Sequence, residues 1–242
     1  MIIYFQLYRI NQILFYRKVF YIKVIFFDTE TSGLDFISNK IIELAMFTVC
    51  DGEVVEKYDE FINIGEPIAP NIIEMTGITN NMLREKGIDE KTVACDLKKR
   101  LAPGTLMVAH NCQFDLLFVY ALLKRHFPVE ADEIVRNVRW LDTVTVLKDR
   151  KKYPHKLIDA VEHYNIEKVN FHRAIDDTKA LYYVALAMKD ERDDLREYIN
   201  IFGYNPKYPV SYSRRLPFIT YVAQPYNNFM TSADNILPNK IK

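Results

Sequence analysis

"FFDTETSGLD", Phe26 to Asp35, joins a run of apolar residues to two acids one residue apart. On a strand, residues i and i+2 share a face, so Asp28 and Glu30 project together and Thr29 points to the other side. Carboxylates buried at a strand end are costly unless a cation or a proton compensates them. The stretch therefore predicts a buried strand, "KVIFFD" (Lys23–Asp28), that ends at a compensated pair of acids.

Working outward, "KIIELAMFTVC" (Lys40–Cys50), the turn pair Asp51-Gly52 and "EVVEKYDEFIN" (Glu53–Asn63) predict two strands joined by a hairpin. Pro67 and Pro70 punctuate a loop before short helical pieces within residues 69–83. A helix from about Asp89 to Leu101 stops at Pro103-Gly104. "TLMVAH" (Thr105–His110) and "VRWLDT" (Val138–Thr143) predict a fourth and a fifth strand. Between them, Asn111 can cap a helix over Cys112–Phe127, whose apolar residues recur at helical spacing. The remainder to about Ile201 reads as helical. A strand meander followed by α/β alternation implies a mixed sheet covered by helices.

The chain divides into an N-terminal extension (1–23), a central domain (24–201) and a C-terminal arm (202–242) rich in aromatics and prolines without a clear period. The 32 basic and 32 acidic residues cancel overall. Residues 1–23 nevertheless carry Arg9, Arg17, Lys18 and Lys23 with no acid, and residues 200–242 carry five bases against Asp234. The body between must therefore be acidic, a balance that suits either a metal-dependent enzyme gripping a polyanion from its flanks or plain solvated charge. Three cysteines, Cys50, Cys95 and Cys112, without C-x-x-C spacing argue against a disulfide framework and a zinc site, and fit a reducing cytoplasm. Charges break up the apolar run of residues 1–23 too often for a transmembrane helix, and it lacks the features of a signal peptide. It reads as an amphipathic packing segment or as non-native sequence from an upstream start codon, and no membrane association is expected.

Taken singly, the remaining acids are ordinary. Asp115 in a helix's first turn would complement the macrodipole, Asp176 and Asp177 would be solvated, and His172 would be a surface or capping residue. Their order is what matters. "FDTETSG" (Phe27–Gly33), "HNCQFD" (His110–Asp115) and "HRAIDD" (His172–Asp177) resemble, in order and spacing, the three motifs of the DEDDh 3′–5′ exonucleases. That family includes bacterial proofreading subunits and the exonuclease domain of Gram-positive replicative polymerases. The resemblance runs from about Val24 to Met188 and takes in "IEMTGITNNML" and "LDTVTVLKDRKKYPHKLIDAVEHY". It implies a ribonuclease-H-like fold with a five-stranded mixed sheet whose first three strands are antiparallel, flanked by helices.

The resemblance also implies roles. Asp28, Glu30, Asp115 and Asp177 match the four metal-binding carboxylates, and His172, in the spacing His-x4-Asp, matches the general base. Thr31, Leu34, Thr76, Asn111 and Phe114 fall where relatives contact the terminal nucleotides. Leu34 and Phe114 could equally be core, and Asn111 a helix cap. Elementary chemistry agrees with the acids' role: two divalent cations, Mg²⁺ or Mn²⁺, can clamp the attacking and leaving oxygens of a phosphodiester. Histidine titrates near neutrality and suits the proton acceptor. The expected substrate is the 3′ end of single-stranded DNA, with RNA as the alternative within the same fold. A non-catalytic nucleic-acid-binding module is the alternative of a different class. The chain leaves no room for a polymerase domain, so proofreading would need a separate polymerase subunit as partner.

Overall fold

A computed structural model describes residues 23–167 and 173–224. The expected strand is β1 (Val24–Thr31), and it continues past Asp28 so that Glu30 pairs opposite Glu43. β2 (Ile41–Cys50) and β3 (Glu53–Asn63) follow it antiparallel, joined at Asp51 and Gly52. Both turn residues have positive φ (54° and 84°), the conformation a two-residue hairpin of matching twist requires.

Two short helices come next, α1 (Pro70–Thr76) and α2 (Asn80–Lys86). Pro70 opens the first, and the Thr79 hydroxyl accepts from Met82 N at the start of the second. β4 (Ile88–Asp89) and α3 (Glu90–Arg100) follow, Asp89 capping α3 by accepting from Lys91 N and Thr92 N. The chain then runs through β5 (Leu106–Ala109), α4 (Cys112–His126), α5 (Ala131–Asn137), β6 (Arg139–Asp142), α6 (Thr143–Arg150), α7 (Leu157–His163) and α8 (Ala174–Glu191).

The sheet order is β4-β3-β2-β1-β5-β6, with β4, β5 and β6 joined in parallel to their neighbours. It has six strands where five were expected, the first three antiparallel as expected. The added strand is the two-residue β4 beside Ile62 and Asn63, too short to leave any periodicity in the sequence.

Helices cover both faces, and alternation along β1 shows which face is which. Ile25 and Phe27 pack with Leu116, Phe118 and Trp140 on the α4 side. Phe26 packs with Leu181, Val184 and Met188 on the α8 side. Covered twice, β2 buries nearly every residue. Residues 202–224, expected as part of an arm, contain most of β7 (Ile201–Tyr204) and all of β8 (Thr220–Ala223), paired in parallel. Phe202, Leu216 and Ile219 are buried in the α4-side core. Residues 1–22 and 225–242 lie outside the described residues. Among those described, no helix is long and apolar enough to cross a membrane.

Candidate active site

β1 pairs with β5 only as far as Phe26↔Val108, whereas its pairing with β2 continues to Thr31. Past Phe26 one edge of β1 therefore has no strand beside it, and the chain leaving β5 turns into α4 there. Asp28 and Glu30, on the α8 face, meet Asp177 from the first turn of α8. One carboxylate oxygen from each of the three lies within 4.8 Å of the others. Asp177 joins this group and the adjacent Asp176 does not.

Asp115 arrives from the opposite layer. It is buried in the first turn of α4, and the Thr29 hydroxyl donates to its Oδ1 at 2.7 Å. Thr29 does point away from Asp28 and Glu30, as alternation required, and that orientation lets it hold the fourth acid. The four carboxylates repel one another. Asp28 is pushed well above the usual carboxylate range by burial first, then by Asp115, Asp177 and Glu30. Burial and then Asp177 raise Glu30 to about 7, and burial raises Asp115 to about 7 against the Thr29 hydrogen bond.

The donor set suits a hard dication. It consists of carboxylate oxygens alone, and positive charge at that point would remove the repulsion that now holds protons on the acids. His172 lies outside the described residues, so only its spacing from Asp177 bears on it.

Two supporting residues escaped the sequence reading. Glu43 is fully buried in β2, where its Oε1 accepts from Arg173 Nε (3.0 Å) and Nη2 (2.7 Å) and its Oε2 from Ala174 N (3.1 Å). It thereby pins the start of α8, the helix that delivers Asp177. A single acid inside the otherwise apolar "KIIELAMFTVC" was the available signal. Asp142, at the end of β6, accepts from Val144 N and Thr145 N to cap α6, and also from Asn111 N (2.9 Å) and Cys112 N (3.1 Å) at the start of α4. One carboxylate thus anchors two helices.

Asn111 occupies the N-cap position of α4 in a left-handed conformation (φ 70°), and its side chain makes no capping hydrogen bond. Asp142 performs that service, which corrects the expectation that Asn111 caps the helix. Leu34 is 75% exposed. With Phe36, Asn111, Gln113, Phe114, Leu117, Phe118 and Arg214 it lines a cavity of about 160 Å³ at the first turn of α4, the turn that carries Asp115. Phe114 also packs on Phe118, the ring centroids 4.9 Å apart. Thr31 and Thr76 are otherwise engaged. The buried Thr31 hydroxyl donates to Gly33 O (2.7 Å), and that of Thr76 donates to Ile72 O (2.9 Å) and accepts from Ile78 N (3.1 Å). These bonds place both hydroxyls in local turns.

Comparison with known proteins places this geometry in a family. A family model described as Exonuclease matches residues 25–185. The DNA polymerase III PolC-type protein of Bacillus subtilis (strain 168) is 34% identical over 197 residues, 79% of this chain and 13% of that protein. The namesake from Halalkalibacterium halodurans is 36% identical over 176 residues, 70% of this chain and 12% of its own length. The chain thus spans about an eighth of these relatives. Among solved structures, E. coli Exonuclease I in complex with a dA16 oligonucleotide aligns with a TM-score of 0.65 at 21% identity, covering 73% of this chain and 42% of that one. Exonuclease I from Methylocaldum szegediense aligns with a TM-score of 0.62 at 20% identity, covering 72% and 41%. At such identities the likeness concerns the fold. The chain belongs to the exonuclease family.

Proposed function

We propose that this member of the exonuclease family is a divalent-metal-dependent 3′–5′ exonuclease that hydrolyses single-stranded DNA from its 3′ end to nucleoside monophosphates. The observation that carries the reading is the convergence of Asp28, Glu30 and Asp177 within 4.8 Å, three carboxylates delivered by two separate elements. Asp115, held by Thr29, is the fourth ligand. Two divalent cations, Mg²⁺ or Mn²⁺, supply charge neutralisation and water activation when bound to such a set.

The chain's own residues do the rest. His172 accepts a proton from the attacking water, because a neutral imidazole is available near pH 7. Leu34 and Phe114 offer apolar and aromatic surface against which the terminal bases can stack. Residues 24–201 form the catalytic unit, with residues 202–224 packed against it. The kinship with PolC-type polymerases supports DNA as substrate and association with a polymerase.

End-labelled single-stranded DNA, single-stranded RNA and mismatched duplex test this directly, each with EDTA, Mg²⁺ or Mn²⁺. Stepwise shortening from the 3′ end of the DNA strand, abolished by EDTA and restored by either cation, is the expected result. Cleavage that persists in EDTA removes the metal-dependent reading, and preference for the RNA strand assigns the activity to RNA.

A further inference from the structure

The cavity at the first turn of α4, which carries Asp115, has a wall that the family match at residues 25–185 does not include. That wall is Arg214, from the segment between β7 and β8. Several bonds seat its backbone against the first turn of α4. Gln113 Nε2 donates to Arg214 O (2.6 Å), and the Tyr221 hydroxyl donates to Gln113 Oε1 (2.8 Å) while accepting from Leu216 N (3.0 Å). Buried Leu216 and Ile219 fix the same loop to the core. The Arg214 guanidinium is left exposed over the Phe36 ring, 6.0 Å from its centroid.

Charge adds to the geometry. Residues 201–224 contain Lys207, Arg214 and Arg215 and no acid, against an acidic body. Arg215 is committed within the segment, donating from Nε to Val210 O (3.2 Å) and lying over Tyr221. Lys207 does not line the cavity. Arg214 is therefore the cation that this segment brings to the pocket, in a setting of aromatic faces and amide side chains that suits a nucleotide strand.

We infer that Arg214 binds the phosphodiester backbone of the single strand upstream of the scissile bond, so that the C-terminal segment completes the substrate cleft. This rests on the nuclease reading above. A planar guanidinium can grip a phosphate through two parallel hydrogen bonds while its face stays on Phe36. Truncating the side chain leaves the Arg214 carbonyl, and with it the Gln113 bond, in place, so the loop keeps its anchor.

The test compares Arg214→Ala, Arg214→Lys and Lys207→Ala with the wild-type full chain. Binding of a fluorescent dT12 strand is measured by anisotropy in Ca²⁺ across a salt series, beside steady-state hydrolysis in Mg²⁺. Arg214→Ala should weaken binding about tenfold, the scale of one lost charge-assisted hydrogen bond. It should reduce the slope of log K against log salt by ~0.7, one phosphate contact on a single strand. KM should rise more than kcat falls, and the penalty should shrink on a dinucleotide. Arg214→Lys should recover most of the salt slope but not the full affinity. Lys207→Ala should retain wild-type binding and slope. Equal losses from Arg214→Ala and Lys207→Ala would overturn the inference in favour of diffuse charge, as would wild-type affinity in Arg214→Ala. In both cases the nuclease reading stands if the wild type degrades DNA. If the wild type neither binds nor degrades the strand, both readings fall.

Discussion

Two regions of this molecule bury several charged side chains, and they do so in opposite ways. Around the ends of α6 and α8, Arg150, Lys151 and Arg192 are interleaved with Asp149, Glu191 and Asp194. Tyr198 and Tyr164 donate to Asp149 and Glu191. Burial alone would raise Glu191, but Lys151, Tyr164 and Arg150 outweigh it and hold the carboxyl at about 2. At the end of β1, burial first raises Asp28, Glu30 and Asp115, and Asp28 and Glu30 are raised further by the acids around them, Asp177 among these. Arg173, the neighbouring cation, is occupied by Glu43. A compensated cluster is scaffold. An uncompensated one stores repulsion, which the fold tolerates because a cation relieves it when the protein works.

Removing a carboxylate from the uncompensated cluster should have the largest effect. Asp28→Asn or Asp177→Asn should take nuclease activity below detection and weaken Mn²⁺ binding, measured by calorimetry. His172→Ala should lose less, ~10²–10⁴-fold in kcat, and keep its metal, because a base is removed and no ligand. Metal binding lost equally in the two classes of variant would merge the roles assigned to them. Next in size is Arg150→Ala, whose side chain is 3% exposed. Asp194 keeps Arg192 and Glu191 keeps Lys151, so losing the charge-assisted bonds of Arg150 should cost ~1.5–3 kcal/mol in denaturant unfolding, without any defect in metal affinity.

The contrast also explains how much could be read from the sequence. Asp115 and Asp177 were legible only through the order and spacing that resemble the family's three motifs, whereas the pairing of Asp28 and Glu30 follows from strand alternation. The hairpin was visible in Asp51-Gly52 for the same reason: local geometry dictates residue type. Glu43 and Asp142 act across the sheet and between helices, and nothing local marks them except a charge amid apolar neighbours. Thr76 shows the reverse. Its motif neighbourhood suggested substrate contact, and what the structure adds is that its hydroxyl also bonds to Ile72 O and Ile78 N, a local role no pattern announced. The segment after Phe202 lacked periodicity because β7 and β8 are four residues each and pair in parallel over a long connection. Burial of Leu216 and Ile219 there makes deletion of the segment a stability experiment, so a side-chain truncation at Arg214 isolates binding.

The smallest effect expected is also the one that tells the two clusters apart by sign. In the uncompensated site the folded state holds protons that the unfolded chain would release, since Glu30 and Asp115 sit at about 7 when folded and carboxyls near ~4 when unfolded. Their contribution favours folding below the unfolded range and is lost as pH rises through about 7. Glu191 runs the other way: at about 2 when folded, it stabilises above the unfolded range and loses that contribution as pH falls. In EDTA, the thermal midpoint should therefore drop by a few degrees between roughly pH 5 and pH 8. Asp28→Asn should raise that midpoint at the alkaline end and flatten the fall, because the remaining acids lose a repelling neighbour. Saturating Mg²⁺ should flatten it in the wild type by binding the ionised set. Scanning fluorimetry across this range, with and without Mg²⁺, reads all three. A midpoint that rises with pH in EDTA would show that the carboxylates at the end of β1 are already compensated, and the distinction between the clusters would collapse.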